Sequence, residues 1–167
     1  RSFKSYILNK IYFIFLKFFS LNKYKKIIVQ NLSDKKIIMS KLKNLKPKDF
    51  VLIPGSGVDP KKFKLVDYKK SKNIVLMSSR ILLDKGVIEY LKASEILKKK
   101  FPKWKFLIAG SLDYKSSAAI NSTTFKNYLK KKYIIWIGYE KNIIKLLKII
   151  SIACLPSYRE GMSKFLI

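Results

Sequence analysis

Apolar and polar positions follow a regular pattern along the second half of this 167-residue chain. From Asn73 onward, short continuous apolar runs are separated by amphipathic stretches of helical length. The apolar runs read, in chain order, NIVLMSS, WKFLIAG, YIIWIG and ISIACLP. Continuous apolar runs indicate strands buried on both faces, and strands that alternate with helices are typical of parallel sheets. We therefore predict an α/β fold in which a Rossmann-like parallel sheet carries helices on both faces.

The stretches between these runs have the periodicity of amphipathic helices. The first helix is predicted from about Gly86 to Lys100 and ends before Pro102, because proline cannot continue the hydrogen-bond ladder. A second helix is predicted near Thr124 to Lys132 and a third from Lys141 to Lys148. Lysines occupy the faces opposite the apolar stripes, so we expect these lysines to lie in solvent.

The first third of the chain predicts part of another strand-and-helix unit. An apolar, aromatic helix is predicted over Tyr6–Leu21, followed by a short strand within Lys25–Asn31. Ser33 or Asp34 is expected to cap the next helix, and Phe50–Ile53 has the pattern of a second strand. Two strand-helix steps therefore precede the regular sheet.

A domain boundary is predicted between these two regions. Pro54, Gly55, Ser56 and Gly57 force a turn, and a charged stretch follows between Asp59 and Ser71. The predicted organisation is one domain over residues 1–58, a linker over residues 59–72 and a second domain over residues 73–167.

The chain is strongly basic, with 37 Lys and Arg against 10 Asp and Glu, a net charge of +27. Such a surface attracts nucleic acid or anionic lipid. Only Arg1, Arg80 and Arg159 are arginines, although guanidinium is the preferred group for phosphates and guanine edges. We therefore expect no nucleic-acid partner, and we expect attraction to an anionic membrane surface as a secondary property of the lysines.

The numbers of cysteines and histidines limit the cellular compartments and the kinds of catalytic chemistry that can be expected. The single Cys154 excludes a disulfide framework and favours a reducing, cytoplasmic compartment. With no His there is no imidazole for a Ser-type triad, and no metal site is predicted. The longest uninterrupted apolar stretch of the first helix, Ile11–Leu16, is far below the ~20 residues that a membrane span needs. We expect at most peripheral attachment to the inner face of the cell membrane.

In an open parallel sheet, ligands bind beyond the carboxyl ends of the strands. The residues that follow the predicted strands are Ser78, Ser79, Arg80, Gly110, Ser111, Gly138, Tyr139, Pro156, Ser157 and Glu160. Arg80 and Lys85 flank a loop that closes at a glycine opening a helix, a setting that favours a diphosphate. Glu160, beside Gly161, can accept hydrogen bonds from sugar hydroxyls. Two alternatives stay open, namely a structural ion pair of Arg80 with Asp84 or Glu160, and a solvent-exposed turn acid at Glu160.

Several segments of the chain, in this order, resemble one enzyme family. They read IIVQN, IPGSGVDPKKF, SSRILLDKGVIEYLKA, FLIAGSLD, YIIWIGYEKNIIKLL and ISIACLPSYREGMSKFLI. From about Lys25 to Ile167 the chain resembles the retaining glycosyltransferases of GT-B family 4, the glycosyl transferases group 1. The VQN and PGSGVD variants are most similar to members that build capsular or polyprenyl-linked glycans. The resemblance implies that residues 1–58 end an acceptor domain and residues 73–167 form the first half of a nucleotide-sugar-binding domain.

The resemblance also implies a reaction and a set of site residues. It implies transfer of a sugar from a nucleotide donor, commonly a UDP-sugar, with retained configuration and without a metal or other cofactor. The implied acceptor is a glycan or a polyprenyl-linked glycan in cell-surface polysaccharide biosynthesis. Arg80 and Lys85 would hold the diphosphate and Glu160 would contact the sugar, which makes these three the expected catalytic set. The residues expected near the base, the sugar and the loop backbone are Gly138, Tyr139, Ser157, Gly161, Met162 and Ser163.

The family motif has a second glutamate that would fall directly after Ile167. The resemblance therefore implies a fragment, truncated at both ends, that is inactive alone. Two alternatives from other classes remain. One is a GT-B sugar epimerase, which would normally need acidic or His bases, and the other is a non-catalytic basic protein that binds nucleic acid or a membrane surface.

Overall fold

The computed structural model describes residues 3–55, 57–63 and 72–167, and the chain divides into two compact units after Gly57. Ser56 of the predicted turn and residues 64–71 of the predicted linker lie outside the described residues. None of the described helices is both long enough and apolar enough to cross a bilayer.

The first unit contains two helices and a pair of short parallel strands. Its elements are α1 (Phe3–Ser20), β1 (Ile27–Val29), α2 (Leu32–Lys41) and β2 (Phe50–Leu52). Its core consists of Val29, Ile38, Leu42, Leu45 and Phe50. The helix α2 is capped by the preceding Asn31, whose side-chain oxygen accepts a hydrogen bond from the Asp34 amide at 2.8 Å. The prediction that Ser33 or Asp34 is the cap is wrong, because both lie within the helix and Asn31 accepts the hydrogen bond from the amide of its third residue.

The second unit alternates strands and helices. Its elements are β3 (Ile74–Ser78), α3 (Val87–Lys100), β4 (Lys105–Ala109), α4 (Ser122–Lys130), β5 (Ile135–Trp136), α5 (Ile143–Leu147) and β6 (Ile152–Ala153). The four strands are all parallel and lie in the order β5-β4-β3-β6. The predicted α/β class and parallel sheet are confirmed.

Alternate residues of β3 and β4 belong to two separate hydrophobic clusters. The first cluster joins these strands to α3 and α4 through Val75, Met77, Val87, Tyr90, Leu91, Phe106, Ile108 and Phe125. The second joins them to α5 and the chain after it through Ile74, Leu76, Leu107, Ala109, Ile143, Leu146, Ile149 and Ile150. Because successive strand residues point to opposite faces, α5 covers the face opposite α3 and α4. The prediction of helices on both faces is confirmed.

The direction in which strands are added reverses beside β3. The strands β4 and β5 lie on one side of β3, and β6 lies on the other. Such a switch point leaves a crevice at the carboxyl ends of the two strands that flank it, here β3 and β6. Two segments border this crevice. We call residues 79–86, after β3, the cation loop, and residues 154–161, after β6, the acid loop.

Candidate functional site at the switch point of the sheet

The cation loop presents Arg80 and Lys85 near its two ends. Between them, Ile81 and Leu82 are buried in the core, with relative exposures of 0% and 2%. The Ile81 amide also donates to the carbonyl of Ser111, in the segment after β4, at 3.0 Å. Because its apolar side chains and backbone are held in this way, the loop places Arg80 in solvent and Lys85 in a half-buried position.

The acid loop is anchored at its start by an extension of the strand pairing. The Cys154 amide donates to the Leu76 carbonyl at 2.9 Å, and burial raises the pKa of the Cys154 thiol. The Cys154 side chain packs against the hydrophobic cluster that contains α3 and α4. The loop therefore leaves the sheet edge in a fixed direction.

Gly86 allows the two loops to touch through their backbones. Its φ of +73° lies in the left-handed region, and a Cβ at this position would lie 1.9 Å from the carbonyl oxygen of Pro156. No side chain fits in that space. The acid loop consequently lies directly against the turn that presents Lys85.

This contact brings Lys85 and Glu160 together although they are 75 residues apart in the chain. The ammonium nitrogen of Lys85 lies 2.6 Å from Oε1 of Glu160, and the two side chains are 22% and 32% exposed. An ion pair of this exposure contributes only about 0–1 kcal/mol to stability. Its importance is that one cation, suited to a phosphate oxygen, and one acceptor, suited to a hydroxyl, occupy the same point of the crevice.

Arg80 takes a partner that the sequence reasoning missed. Its Nη1 atom lies 3.0 Å from Oδ2 of Asp113, in the segment after β4, and its side chain is 62% exposed. Neither of the alternatives considered from the sequence, Asp84 or Glu160, is the partner of Arg80 in the structure. Asp113 follows the FLIAG run by only a few residues, so the rule that selects residues after strand ends would have found it.

The residues expected near a nucleotide base lie farther along the same sheet edge. Gly138 and Tyr139 follow β5, two places from β3 in the strand order. The Gly110 amide donates to the Gly138 carbonyl at 2.7 Å, which joins the ends of β4 and β5. Tyr139 is 71% exposed and leaves an open aromatic surface at that end of the edge.

Of the four other expected residues, Ser157 forms a hydrogen bond between the acid loop and the cation loop, and the remaining three do not. The Ser157 hydroxyl donates to the Asp84 carbonyl at 3.1 Å, across the two loops. Gly161 and Ser163 are half-buried and Met162 is 42% exposed. The described hydrogen bonds join none of these three residues to Lys85 or Glu160, and their relation to the site is their place in the chain directly after Glu160.

A second side-chain contact of the acid loop, this one with α3, involves residues outside the expected set. The Tyr158 hydroxyl donates to Oε1 of Glu89, in the first turn of α3, at 2.6 Å. This hydrogen bond lowers the pKa of the Glu89 carboxyl below its ordinary value and raises the pKa of the Tyr158 hydroxyl above its own. No sequence spacing links these two positions, because only the strand order brings them together.

The described residues do not provide the group of ligands that a metal site requires. Within the residues that the structure describes, no three side chains of His, Cys, Asp or Glu are grouped as an ion would require. Two of the cations at the crevice, Arg80 and Lys85, are instead each paired with one carboxylate.

The fold and the crevice define an α/β protein of the class whose ligand sites lie at the switch point of a parallel sheet. The model of the family Glycosyl transferases group 1 matches residues 58–166, which is more than half of the chain. The chain belongs to that family, and the resemblance read from its motifs is confirmed.

Individual proteins are similar to parts of this chain in sequence or in fold. N,N'-diacetylbacillosaminyl-diphospho-undecaprenol alpha-1,3-N-acetylgalactosaminyltransferase of Campylobacter jejuni is 34% identical over 90 residues, which are 54% of this chain and 22% of that protein. S. aureus TarM, solved with UDP, matches 86% of this chain and 27% of its own with a TM-score of 0.66 and 19% identity. The pneumococcal O-GlcNAc transferase GtfA, solved with UDP and GlcNAc, matches 89% and 28% with a TM-score of 0.61 and 18% identity. The chain thus spans about a quarter of the length of these relatives and shares the GT-B glycosyltransferase fold over that part.

Proposed function

We propose that this chain is part of an enzyme that transfers a sugar from a nucleotide-diphosphate donor, a UDP-sugar, to a glycan or lipid-linked acceptor. Membership of the group 1 family supports the reaction class. The observation that carries the proposal is the 2.6 Å contact between Lys85 and Glu160 at the switch point of the sheet. It joins a phosphate-binding cation to a hydroxyl-binding carboxylate where a ligand of this fold class would lie.

Arg80 and Lys85 hold the donor diphosphate in this proposal. When the sugar leaves, the bond between its anomeric carbon and the diphosphate oxygen breaks, and negative charge grows on the departing group. Two cations on one loop, beside the amides at the start of α3, stabilise that charge. The resemblance to family 4 implies that no metal shares this role. Donor phosphates replace Asp113 and Glu160 as the partners of the two cations.

Glu160 orients the donor sugar. Once the diphosphate binds Lys85, the carboxylate of Glu160 is available to accept hydrogen bonds from sugar hydroxyls. The family motif places the following amides near the sugar, a role we assign to Gly161, Met162 and Ser163. Gly138 and Tyr139 frame the base at the far end of the edge, and Ser157 holds the acid loop in place. The reaction proceeds with retained configuration, as the resemblance implies.

The acceptor is proposed to be a lipid-linked glycan at the inner face of the cell membrane. The Campylobacter jejuni relative bears a name that specifies a diphospho-undecaprenol acceptor. The net charge of +27 attracts an anionic lipid surface and thereby raises the local concentration of such acceptors.

Binding of UDP tests the donor site directly. The experiment uses the protein expressed from its whole gene. We expect UDP to protect this protein against thermal unfolding. The double variant Arg80→Ala, Lys85→Ala should lose this protection, because each charge-assisted hydrogen bond contributes about 1.5–3 kcal/mol and so about a tenfold to hundredfold change in affinity. Isothermal titration calorimetry with UDP provides the dissociation constants.

Lys131→Ala is the matched control, because Lys131 also forms an exposed ion pair, with Glu95 at 3.0 Å. This variant should bind UDP as the unmodified protein does. Normal UDP affinity in the double variant would show that the site assignment is wrong. Affinity for an RNA oligonucleotide that exceeds the affinity for UDP, and that falls steeply with salt, would favour the nucleic-acid alternative.

A further inference from the structure

The cation and acid loops are joined by more contacts than the pair of Lys85 and Glu160. Two donors of the acid loop, the Tyr158 amide and the Ser157 hydroxyl, reach the same Asp84 carbonyl at 3.0 Å and 3.1 Å. The Tyr158 hydroxyl donates to Glu89, in the first turn of α3 just after the cation loop, at 2.6 Å. The acid loop is therefore held at two points, the Asp84 carbonyl and the Glu89 carboxylate, on either side of Lys85 in the chain.

The position of Tyr158 is not explained by burial of its ring. Tyr158 is 68% exposed, so the hydrophobic effect holds the ring only weakly. The contact that orients it is the short hydrogen bond to the charged Glu89, and hydrogen bonds to ionised acceptors are about twice as strong as neutral ones. Glu89 is itself well placed, because a carboxylate in the first turn of a helix is stabilised by the helix dipole.

We propose that Tyr158 and Glu89 are positioning residues that fasten the acid loop to the start of α3 and so hold Glu160 against Lys85. The role that this inference gives to Tyr158 and Glu89 rests on the proposed function, since it assigns them to the donor-sugar end of that site. Only Arg159 separates Tyr158 from Glu160, and a loop fixed at Tyr158 leaves the acid little freedom. Neither residue touches the donor in this scheme, and both act through Glu160.

The contact between Tyr158 and Glu89 adds a constraint on the acid loop that the contact at Gly86 does not provide. The backbone approach of Pro156 to Gly86 fixes the distance between the loops, but it does not fix the direction in which the following residues run. The hydrogen bond from Tyr158 to Glu89 restricts that direction, because it ties the residue two places before Glu160 to the first turn of α3.

Reactivity of Lys85 tests the inference without requiring a donor. Tyr158→Phe removes only the hydroxyl, and it should expose Lys85 to an acylating reagent as Glu160 moves away. We expect Lys85 acylation, followed by peptide mass spectrometry, to be about threefold faster, which is the scale of a partly exposed ion pair. Glu160→Gln should give the upper limit of this increase. UDP affinity should not fall in Tyr158→Phe, because the cation loop is intact.

Three comparisons separate positioning from a merely structural role. Lys131, which pairs with Glu95 on another part of the unit, should keep its acylation rate in Tyr158→Phe. Glu89→Ala should match Tyr158→Phe and add nothing to it in the double variant, whereas Glu89→Gln, which keeps an acceptor oxygen, should be less affected. Unchanged Lys85 reactivity, or an equal increase at Lys131, would overturn the inference. If the unmodified protein binds no UDP, the proposed function fails while the lysine readout still decides the fastening.

Discussion

At the scale of single residues, two glycines at the sheet edge have the same backbone and different surroundings. Gly86 and Gly138 both have left-handed backbones, with φ of +73° and +72°. A Cβ on Gly86 would lie 1.9 Å from the Pro156 carbonyl oxygen, whereas a Cβ on Gly138 would meet nothing within 4 Å. Backbone conformation alone accounts for glycine at 138, but position 86 must also remain empty for the acid loop to approach.

Alanine at these two positions should therefore have unequal effects. Gly138→Ala is expected to cost about 1 kcal/mol of unfolding free energy, the strain of a left-handed backbone with a side chain. Gly86→Ala should cost about 1–3 kcal/mol more, because Pro156 must move, and it should also weaken UDP binding. Urea denaturation and UDP titration of both variants provide the comparison, and equal losses of stability would contradict the close approach of the two loops.

At the scale of helices, similar sequence signals produce different caps. Asn121 precedes α4, and its side-chain oxygen accepts hydrogen bonds from the Thr123 and Thr124 amides at 2.9 Å and 3.1 Å. Asn142 precedes α5 but makes no side-chain cap hydrogen bond. The same residue type therefore stabilises one helix start and only occupies the other.

Substitution of the two asparagines should show this difference. Asn121→Ala is expected to lower the unfolding free energy by about 1 kcal/mol, because two amides of the first turn lose their acceptor. Asn142→Ala should change it by less than about 0.5 kcal/mol, as for most surface positions. Thermal denaturation followed by circular dichroism is the measurement. A loss at Asn142 equal to that at Asn121 would mean that α5 is capped in solution by its asparagine.

The sequence predicted which elements exist better than where they end. The α3 prediction from Gly86 to Lys100 is close to the observed Val87–Lys100, because glycine and Pro102 mark its two ends. The strands β5 and β6 have only two residues each, although their apolar runs are much longer. Apolar composition reports a tendency to be buried, whereas strand length is set by how far a neighbouring strand runs alongside. No local pattern encodes that distance.

At the scale of the whole molecule, some candidate charged residues can be selected from the sequence, but their partners cannot. The rule that ligands bind after parallel strands selected Arg80 and Glu160 from the sequence, and the structure places Glu160 on Lys85. The partners of Arg80 and Tyr158, which are Asp113 and Glu89, depend on the order β5-β4-β3-β6. Strand order is a property of the complete sheet, so pairwise contacts between loops that are far apart in sequence require the structure.

The net charge of +27 should make the stability of the protein depend on salt in an unusual direction. Self-repulsion opposes the compact state, while the three ion pairs that the described residues form are solvent-screened and contribute little to stability. Raising NaCl from about 20 mM to about 300 mM shortens the screening length from about 20 Å to about 6 Å, which weakens the widely spaced repulsions most. We expect the Tm to rise by about 2–4 °C, equivalent to about 1 kcal/mol, while UDP affinity falls over the same range because its contacts are attractive.

KCl at equal ionic strength should give the same result, since screening does not depend on the identity of the salt. A Tm that falls with NaCl would show that the ion pairs outweigh the repulsion among the lysines.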